Sequence, residues 1–332
     1  MTSALTALIV THHGGPRLAR CVTSLRAQVP PPQEILVVVS NPAPVPLPPG
    51  LRALHDGRSR HYGAAVNLGA RAAQGEHLLV LNDDTVLRPG VLAALLAAAT
   101  PDALLQPRIL LADPAGHLDN AGHGLCPDGH NLARGRGRRD DPGWSAPGHL
   151  GAVSGAAFLA PRGAFLTRGG FDEDLGPFGE DLDLSLRWVR AGGALRYVPE
   201  AAIEHELGAS YGRATRRKVY LVERNRLRAA ARSLPVLALA LSPATTPARW
   251  ALMALAAQAG RSADLPAGSA LFAIAGAAAG IASLPEALGK RRHDAPAWAL
   301  GEAAMLAHLL RSRAHPADLF QAFRLSQPHG SE

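Results

Sequence analysis

The 332-residue chain has a formal charge of +7, with 34 Lys and Arg against 27 Asp and Glu, which favours phosphorylated ligands or anionic lipid as partners. Nucleic acid is not expected, because only 5% of the residues are aromatic and base-stacking side chains usually accompany basic patches that bind it. Neither Cys21 nor Cys126 lies in a CxxC or CxxH pattern, which disfavours a structural zinc site or a disulfide framework and fits a reducing compartment.

The first hundred residues alternate between strand and helix patterns. Apolar runs predict strands, and amphipathic runs predict helices, in the order Ala4–Thr11, Pro16–Gln28, Glu34–Ser40, Gly63–Gln74, His77–Asn82 and Pro89–Ala99. Such alternation predicts an α/β fold with a central, mostly parallel sheet covered by helices on both faces. The first residues lack the basic start and long apolar core of a signal peptide, so we expect a cytoplasmic protein.

Polar residues follow each predicted strand. Thr11, Ser40-Asn41 and Asn82-Asp83-Asp84 stand where the three strands end. Because ligands of parallel sheets bind beyond the carboxyl ends of the strands, these positions predict a nucleotide site at one sheet edge. Carboxylates there can bind Mg²⁺ or Mn²⁺ together with substrate phosphates. An isolated Asn-Asp-Asp is more often an Asx turn that closes a strand, so the motif needs support from its context.

The middle of the chain supplies a second polar region. Residues 124–150 are rich in Gly, Arg, Asp and Pro and predict a long mobile loop. A strand at Val153–Ala160 is expected next, and a helix at Asp181–Ala191 follows the acidic segment Gly169–Asp181. Two edge strands are expected at Leu195–Val198 and Ala201–His205. Crowded carboxylates raise one another's pKa, which suits a site that binds a cation or takes up a proton.

The composition changes near Ser233. We therefore predict one domain over residues 1–232 and an Ala-rich helical region over 233–332 that associates with a membrane. The uncharged stretch Leu265–Pro285 is long enough for a membrane span, but its Ala and Gly content favours a packed or interfacial helix. The basic run Lys290-Arg291-Arg292 supports a membrane-facing orientation of this tail.

Four ordered motifs resemble family 2 glycosyltransferases of the rhamnosyltransferase-like branch. Residues 65–85 resemble the family's NxG-type helix and the strand that ends in a DxD-like motif. Residues 169–187 resemble its GGFDE segment and the following ED-x-DL-x-x-R segment. His205 matches a downstream histidine, and Glu223–Arg226 matches a motif that often follows it. The resemblance spans roughly residues 4 to 230.

This resemblance implies a GT-A fold and a metal-dependent inverting transfer of a sugar, with rhamnose as a candidate, from a dTDP- or UDP-sugar donor. The acceptor would be a glycan or a polyprenyl-linked glycan of the cell surface. Asp181 matches the catalytic base, with Glu180 as the alternative. Asp84 and His205 would hold Mn²⁺ or Mg²⁺. The donor would contact residues of the strand ends and of the preceding helix, namely Thr11, Ser40, Asn41, Asn67, Asn82 and Asp83.

A basic stretch between residues 213 and 232 allows two interpretations. It is either a solvated helix face or a surface that contacts a diphosphate or anionic headgroups, with Arg224 and Arg226 as candidates for the diphosphate. The run Ser40-Asn41-Pro42 departs from the family's Asp-containing pattern at the nucleobase pocket. A non-catalytic, sugar-nucleotide-binding or scaffold subunit with the same fold therefore remains an alternative to the enzyme.

Overall fold

The computed structural model describes residues 4–146, 148–206, 215–256, 269–315 and 318. Within these residues the chain forms eleven strands: β1 Leu5–Thr11, β2 Glu34–Val39, β3 Arg52–Leu54, β4 His77–Asn82, β5 Thr85–Leu87, β6 Ala103–Leu111, β7 Leu118–Asn120, β8 His123–Leu125, β9 Asn131–Ala133, β10 Ala157–Pro161 and β11 Ala194–His205. The ten helices of the described residues are α1 Gly15–Arg26, α2 Tyr62–Ala72, α3 Val91–Ala98, α4 Arg162–Thr167, α5 Glu180–Arg190, α6 Arg216–Ser233, α7 Val236–Ala256, α8 Ser269–Ala282, α9 Leu284–Asp294 and α10 Glu302–Arg311.

The main sheet has the order β3-β2-β1-β4-β10-β6-β11-β5, and β7 pairs with β6. The neighbours β3, β2, β1 and β4 are mutually parallel, as are β6 and β11, whereas β10 runs antiparallel to both β4 and β6. The predicted mostly parallel sheet is therefore confirmed. Its parallel strands place the residues after β1, β2, β4 and β11 at a common edge.

Helices cover the sheet on both faces because side chains alternate along each strand. In β1, Ala7 and Ile9 pack into the core under α1 and α3. Leu8 and Val10 point the other way and pack with residues of α2, α4 and α5. The strands read as continuous apolar runs because both faces are buried, as expected for parallel strands.

Two expectations for the middle of the chain are wrong. The predicted pair of edge strands is one strand, β11, which pairs with β6 throughout and changes register between Val198 and Ala202. Residues 124–150 contain all of the β8–β9 hairpin except His123, and Leu132 and Leu150 are buried, so this segment is not an unstructured loop. Its backbone also bonds to β7, since Gly137 N donates to Leu118 O and Leu118 N donates to Arg138 O.

The C-terminal helices pack onto α6. Helix α8 approaches α6 closely, since a Cβ on Gly276 would lie 2.3 Å from the Tyr220 carbonyl oxygen. Among the described residues no single helix is long and apolar enough to cross a bilayer, but the bent pair Ser269–Ala282 and Leu284–Ala297 meets that test together. The division near Ser233 stays a prediction, and residues 265–268 of the predicted apolar stretch lie outside the described residues.

Candidate active site

A cleft of about 610 Å³ opens at the carboxyl edge of the sheet. Side chains after β1, β2, β4 and β11 line it together with the acidic segment before α5 and the first turn of α6. The residues that contribute most to its chemistry are Ser40, Tyr62, Asn82, Asp83, Asp84, Asp119, His123, Arg136, Glu180, Asp181, His205, Arg217 and Lys218. Asp84, Asp181 and His205, which the sequence places far apart, thus share one cleft.

His205, the last residue of β11, lies between two buried aspartates. Its Nδ1 is 2.9 Å from Oδ2 of Asp119, and its Nε2 is 3.3 Å from Oδ1 of Asp84. The other carboxylate oxygen of Asp119 accepts a hydrogen bond of 3.0 Å from Arg136. This series of contacts fixes the imidazole ring with Nε2 directed at Asp84.

The electrostatics of this group follow from its contacts. Burial acts to lower the pKa of His205, but the hydrogen bonds and charges of Asp119 and Asp84 raise it to about 10. For Asp119, burial acts to raise the pKa, while the charge of Arg136 and the bond to His205 lower it to about 2. A proton on Nε2 of His205 would therefore lie between the ring and Asp84, at the position that a divalent cation bound to the neutral imidazole would take.

Asp84 and His205 fit a divalent cation at that position. Oδ1 of Asp84 is buried and has no hydrogen-bond partner among the described residues. Its separation of 3.3 Å from Nε2 of His205 is close to the roughly 3 Å between neighbouring ligands with bonds of about 2.1 Å. A carboxylate on the second ring nitrogen, here Asp119, usually accompanies a metal-bound histidine. No three His, Cys, Asp or Glu side chains within the described ranges form a metal site alone, so phosphate and water would complete it.

Asp83 faces the cleft from beside Asp84 and is held by Thr11. The Thr11 hydroxyl donates to Oδ2 of Asp83, and it also accepts a hydrogen bond of 2.9 Å from Gly14 N. Burial raises the pKa of Asp83, and the charge of Asp84 adds to that rise. Two adjacent buried carboxylates repel each other, so a nearby cation would stabilise their charged forms.

Glu180 and Asp181 begin α5 at the opposite wall of the cleft. Asp181 is half-buried, and its carboxylate accepts hydrogen bonds from Gly155 N at 3.2 Å and Leu182 N at 2.8 Å. Glu180 carries a buried oxygen, Oε2, without a hydrogen-bond partner among the described residues. Burial, followed by the negative charge of Asp181, raises the pKa of Glu180 to about 8. Glu180 is therefore mostly protonated near neutral pH.

The turn into α5 is strained and is held by α6. Phe178 has φ 69°, which is unfavourable for a bulky side chain. Nδ2 of Asn225 donates to the carbonyl oxygens of Leu175, Pro177 and Phe178 at 3.0, 3.1 and 2.6 Å. Arg224 adds a bond of 2.6 Å to Leu175 O. The motif Glu223–Arg226 thus fixes the path of the acidic segment.

Three predicted donor contacts lie outside the cleft wall. Thr11 is fully buried and supports Asp83, as described above. Asn41 bonds to the backbone of its own loop, donating to His12 O and accepting from Ala43 N. Asn67 is bonded both to the N–H and to the carbonyl oxygen of Phe171, each at 2.9 Å, and so joins α2 to the acidic segment. These residues position the site, whereas Ser40, Asn82 and Asp83 face it.

Neither of the predicted diphosphate contacts, Arg224 and Arg226, lines this cleft. Arg226 is only 1% exposed, and it pairs with Glu223 at 3.0 Å and with the Asp128 carbonyl at 2.8 Å. Its guanidinium is needed to neutralise buried carboxylates and cannot reach the cleft. Of the same basic stretch, Arg217 and Lys218 line the cleft, and Arg213 lies outside the described residues.

Four cleft residues were missed by the sequence reasoning, namely Tyr62, Asp119, His123 and Arg136. The Tyr62 hydroxyl donates to Gly155 O, next to the amide that binds Asp181. His123 is half-buried near Asp119 and Asp181, and desolvation lowers its pKa. Asp119, His123 and Arg136 come from the region from β7 to just after β9, which carried no motif, so only the excess of His and Arg there could have drawn attention.

Comparisons of sequence agree with this site. Residues 6–109 match the family described as Glycosyl transferase family 2, and residues 77–279 match Glycosyl transferase family group 2. The chain is 32% identical over 245 residues to the N-acetylglucosaminyl-diphospho-decaprenol L-rhamnosyltransferase of Mycobacterium tuberculosis, covering 64% of this chain and 79% of the relative. It is 29% identical over 212 residues to the pre-mycofactocin glycosyltransferase of the same organism, covering 61% of this chain but only 42% of that relative.

The fold has a solved counterpart in GalNAc-T7, crystallised with UDP, GalNAc and Mn²⁺. The TM-score is 0.57 at 17% identity, with 74% of this chain and 51% of GalNAc-T7 covered, so this likeness concerns the fold alone. It supports the predicted GT-A fold. From the family match, the curated relative and the shared cleft, we conclude that the chain belongs to glycosyltransferase family 2, is similar to rhamnosyltransferases and is a glycosyltransferase.

Proposed function

We propose that the protein transfers a sugar, with rhamnose as the first candidate, from a nucleotide-sugar donor to a polyprenyl-linked or other glycan acceptor. The transfer would invert the anomeric centre and require a divalent cation. The observation that carries this proposal is the convergence of Asp84, Asp181 and His205 on one cleft. The name of the mycobacterial relative, which specifies a rhamnosyl group and a diphospho-decaprenol acceptor, supports the choice of substrates.

Asp84 and His205 would hold the cation, as their contacts allow. Neutral imidazole favours Mn²⁺ over Mg²⁺, and Mn²⁺ accompanies UDP in the GalNAc-T7 structure. A bound cation would supply positive charge to the leaving diphosphate. Asp119 keeps Nε2 of His205 directed at the site. Arg217 and Lys218, on the first turn of α6, would add positive charge beside the same phosphates.

Asp181 is the proposed base. Two backbone N–H groups fix its carboxylate, and hydrogen bonds of this kind favour the charged form that accepts a proton. Asp181 would take the proton of the acceptor hydroxyl while that oxygen bonds to the anomeric carbon and the bond to the nucleoside diphosphate breaks. Glu180, whose pKa is raised to about 8, is mostly protonated at neutral pH and is the weaker candidate.

The proposed setting is the cytoplasm, at the inner face of the cell membrane. Cys21 and Cys126 are both unpaired, which is usual in a reducing compartment and supports this setting. Ser40, Asn82 and Asp83 are the remaining candidates for contacts to the nucleoside, which would belong to a dTDP- or UDP-sugar.

A thermal-shift screen of dTDP-, UDP- and GDP-sugars with Mn²⁺ tests the proposal directly. We expect one nucleotide to raise the melting temperature only when Mn²⁺ is present, and we expect His205→Ala to remove that metal dependence. The responding donor is then tested for release of nucleoside diphosphate with a polyprenyl-diphosphate-linked GlcNAc. An absent response to every donor would contradict the proposal and favour a non-catalytic subunit.

A further inference from the structure

The exposed face of α8 is apolar throughout. Helix α8 buries Ala273, Gly276 and Gly280 against α6. On its other side Leu271, Ile274 and Ile281 are 70, 54 and 59% exposed, and alanines occupy the exposed positions between them. Of the strongly exposed large apolar side chains in the described residues, all but Val29 and Leu47 lie between Val236 and Leu310. The exposed large apolar side chains are therefore concentrated in the C-terminal helices, and α8 presents three of them on one face.

The position of α8 connects this face to the cleft. Helices α6 and α8 run in parallel, with Phe272 beside Arg216, Gly276 beside Tyr220 and Gly280 beside Leu227. The guanidinium carbon of Arg216 is 5.7 Å from the centre of the Phe272 ring. The next two residues of α6, Arg217 and Lys218, line the cleft. The apolar face therefore begins beside a basic turn that forms the cleft wall.

We infer that the α8 face, with Arg216 at the start of α6 beside it, docks the enzyme on an anionic lipid surface. Apolar side chains beside clustered cations are the features with which interfacial helices bind anionic membranes. The inference rests on the proposed function, because a polyprenyl-linked acceptor lies in a membrane.

Two residues of the basic run Lys290-Arg291-Arg292 form ion pairs within the protein. Lys290 lies 2.8 Å from Asp172, and Arg291 lies 3.0 Å from Glu302, so both are engaged within the protein. These pairs also hold α9 against the acidic segment, which disfavours α8 and α9 as a bent membrane span. The surface that the geometry assigns is α8 itself.

A second copy of the chain fits this face less well than a lipid surface does. A helix of 14 residues is about 21 Å long and about 10 Å wide, so one face offers roughly 200 Å². Stable protein interfaces bury about 800 Å² on each partner. The face also lacks polar groups that could fix the geometry of a dimer, whereas a lipid surface requires none.

The test is co-sedimentation of the full chain with vesicles of phosphatidylcholine, with and without phosphatidylglycerol. We expect salt-sensitive binding to the anionic vesicles and a loss of roughly tenfold or more in the variant L271S/I274S/I281S. The matched control V29S/L47S removes exposed apolar side chains elsewhere and should bind as the wild type does. The variant A275L/A278L enlarges the apolar face and should bind more tightly.

Three results would overturn the inference. They are no vesicle binding by the wild type, equal binding by L271S/I274S/I281S, or a dimer in light scattering that this variant dissociates. Donor-induced thermal shift checks that each variant folds. The two proposals fail separately, because Asp181→Asn should lose transfer and keep vesicle binding, whereas the α8 variant should keep donor binding and lose the vesicles.

Discussion

Two clusters of buried charge in this enzyme differ in how their charges balance. The arginine cluster, formed by Asp128, Glu223, Arg226 and Arg249, pairs two carboxylates with two guanidinium groups at 2.7 to 3.5 Å. The cleft cluster brings together five carboxyl groups, namely Asp83, Asp84, Asp119, Glu180 and Asp181. His205 and Arg136 lie within 3.3 Å of two of them, Asp84 and Asp119, while Arg217 and Lys218 line the same cleft. Each cluster combines residues of a sequence motif with residues that no motif marked.

The difference separates a structural role from a catalytic one. Arg249 reaches Asp128 at 2.8 Å and Glu223 at 2.7 Å, so the arginine cluster is neutral and joins α7 to α6. The cleft cluster leaves Oδ1 of Asp84 and Oε2 of Glu180 buried without hydrogen bonds among the described residues. An excess of buried carboxylates is costly unless a cation or a proton joins them, which suits a site for metal and base chemistry.

The largest effect is expected at the base. Asp181→Asn should lower the rate of transfer by about 10³-fold while donor binding is kept, since general bases contribute about 10²–10⁴-fold. Transfer is measured as release of nucleoside diphosphate, and donor binding as thermal shift. Glu180→Gln is the matched control and should retain most of the activity at pH 7. If Glu180→Gln transferred sugar slowly while Asp181→Asn stayed active, Glu180 rather than Asp181 would be the base.

A substitution in the arginine cluster should lower the free energy of unfolding. Arg249→Ala leaves Asp128 and Glu223 with one guanidinium fewer, and breaking a buried pair costs about 3–5 kcal/mol of the free energy of unfolding. Urea denaturation measures this change. Arg52→Ala, which breaks the more exposed pair with Glu34, should cost no more than about 1 kcal/mol. If the two variants lost the same free energy of unfolding, the buried cluster would stabilise the fold no more than the exposed ion pair does.

Asp119 tests the support of the cation site. Asp119→Asn should weaken Mn²⁺ binding about 10–100-fold, as is typical when a carboxylate behind a metal-bound histidine is replaced. The measurement is a Mn²⁺ titration followed by thermal shift with donor present. Because Asp119 itself is separated from the cation by His205, Asn at this position should leave metal-independent donor contacts intact. An unchanged titration would exclude His205 as a ligand oriented by Asp119.

The smallest effect concerns pH. The pKa of Glu180 is about 8 in the folded protein, against 4.5 for an ordinary Glu, so the folded state keeps a proton that the unfolded chain releases. This contribution is complete below pH 4.5 and is lost as the pH rises through 8. We expect wild-type stability to fall relative to Glu180→Gln by ~1 kcal/mol or more between pH 5 and 9. If the stability of the wild type and of Glu180→Gln changed equally with pH, the raised pKa of Glu180 would be contradicted.

The sequence predicted the elements of the sheet well because their signals are local. β4 has the predicted bounds His77–Asn82, and β1 and β2 end within one residue of the prediction. Buried parallel strands must be continuous apolar runs, and the polar residue that ends each run marks the ligand edge. The sequence therefore also located Asp84 and His205, whose separation along the chain says nothing about their distance of 3.3 Å.

Contacts between distant segments decided the rest. Asp119 and Arg136 enter the cleft because β7 pairs with β6 and the following segment folds back on it, which no local pattern indicates. Arg226 matched a family motif, but its direction depends on the partners that tertiary packing gives it. The sequence by itself determined the fold class, the family and the carboxylates at the strand ends, because hydrophobic periodicity and motifs are local. Only the tertiary structure decided which charges neutralise one another and which remain for chemistry, because charge balance depends on distances in space.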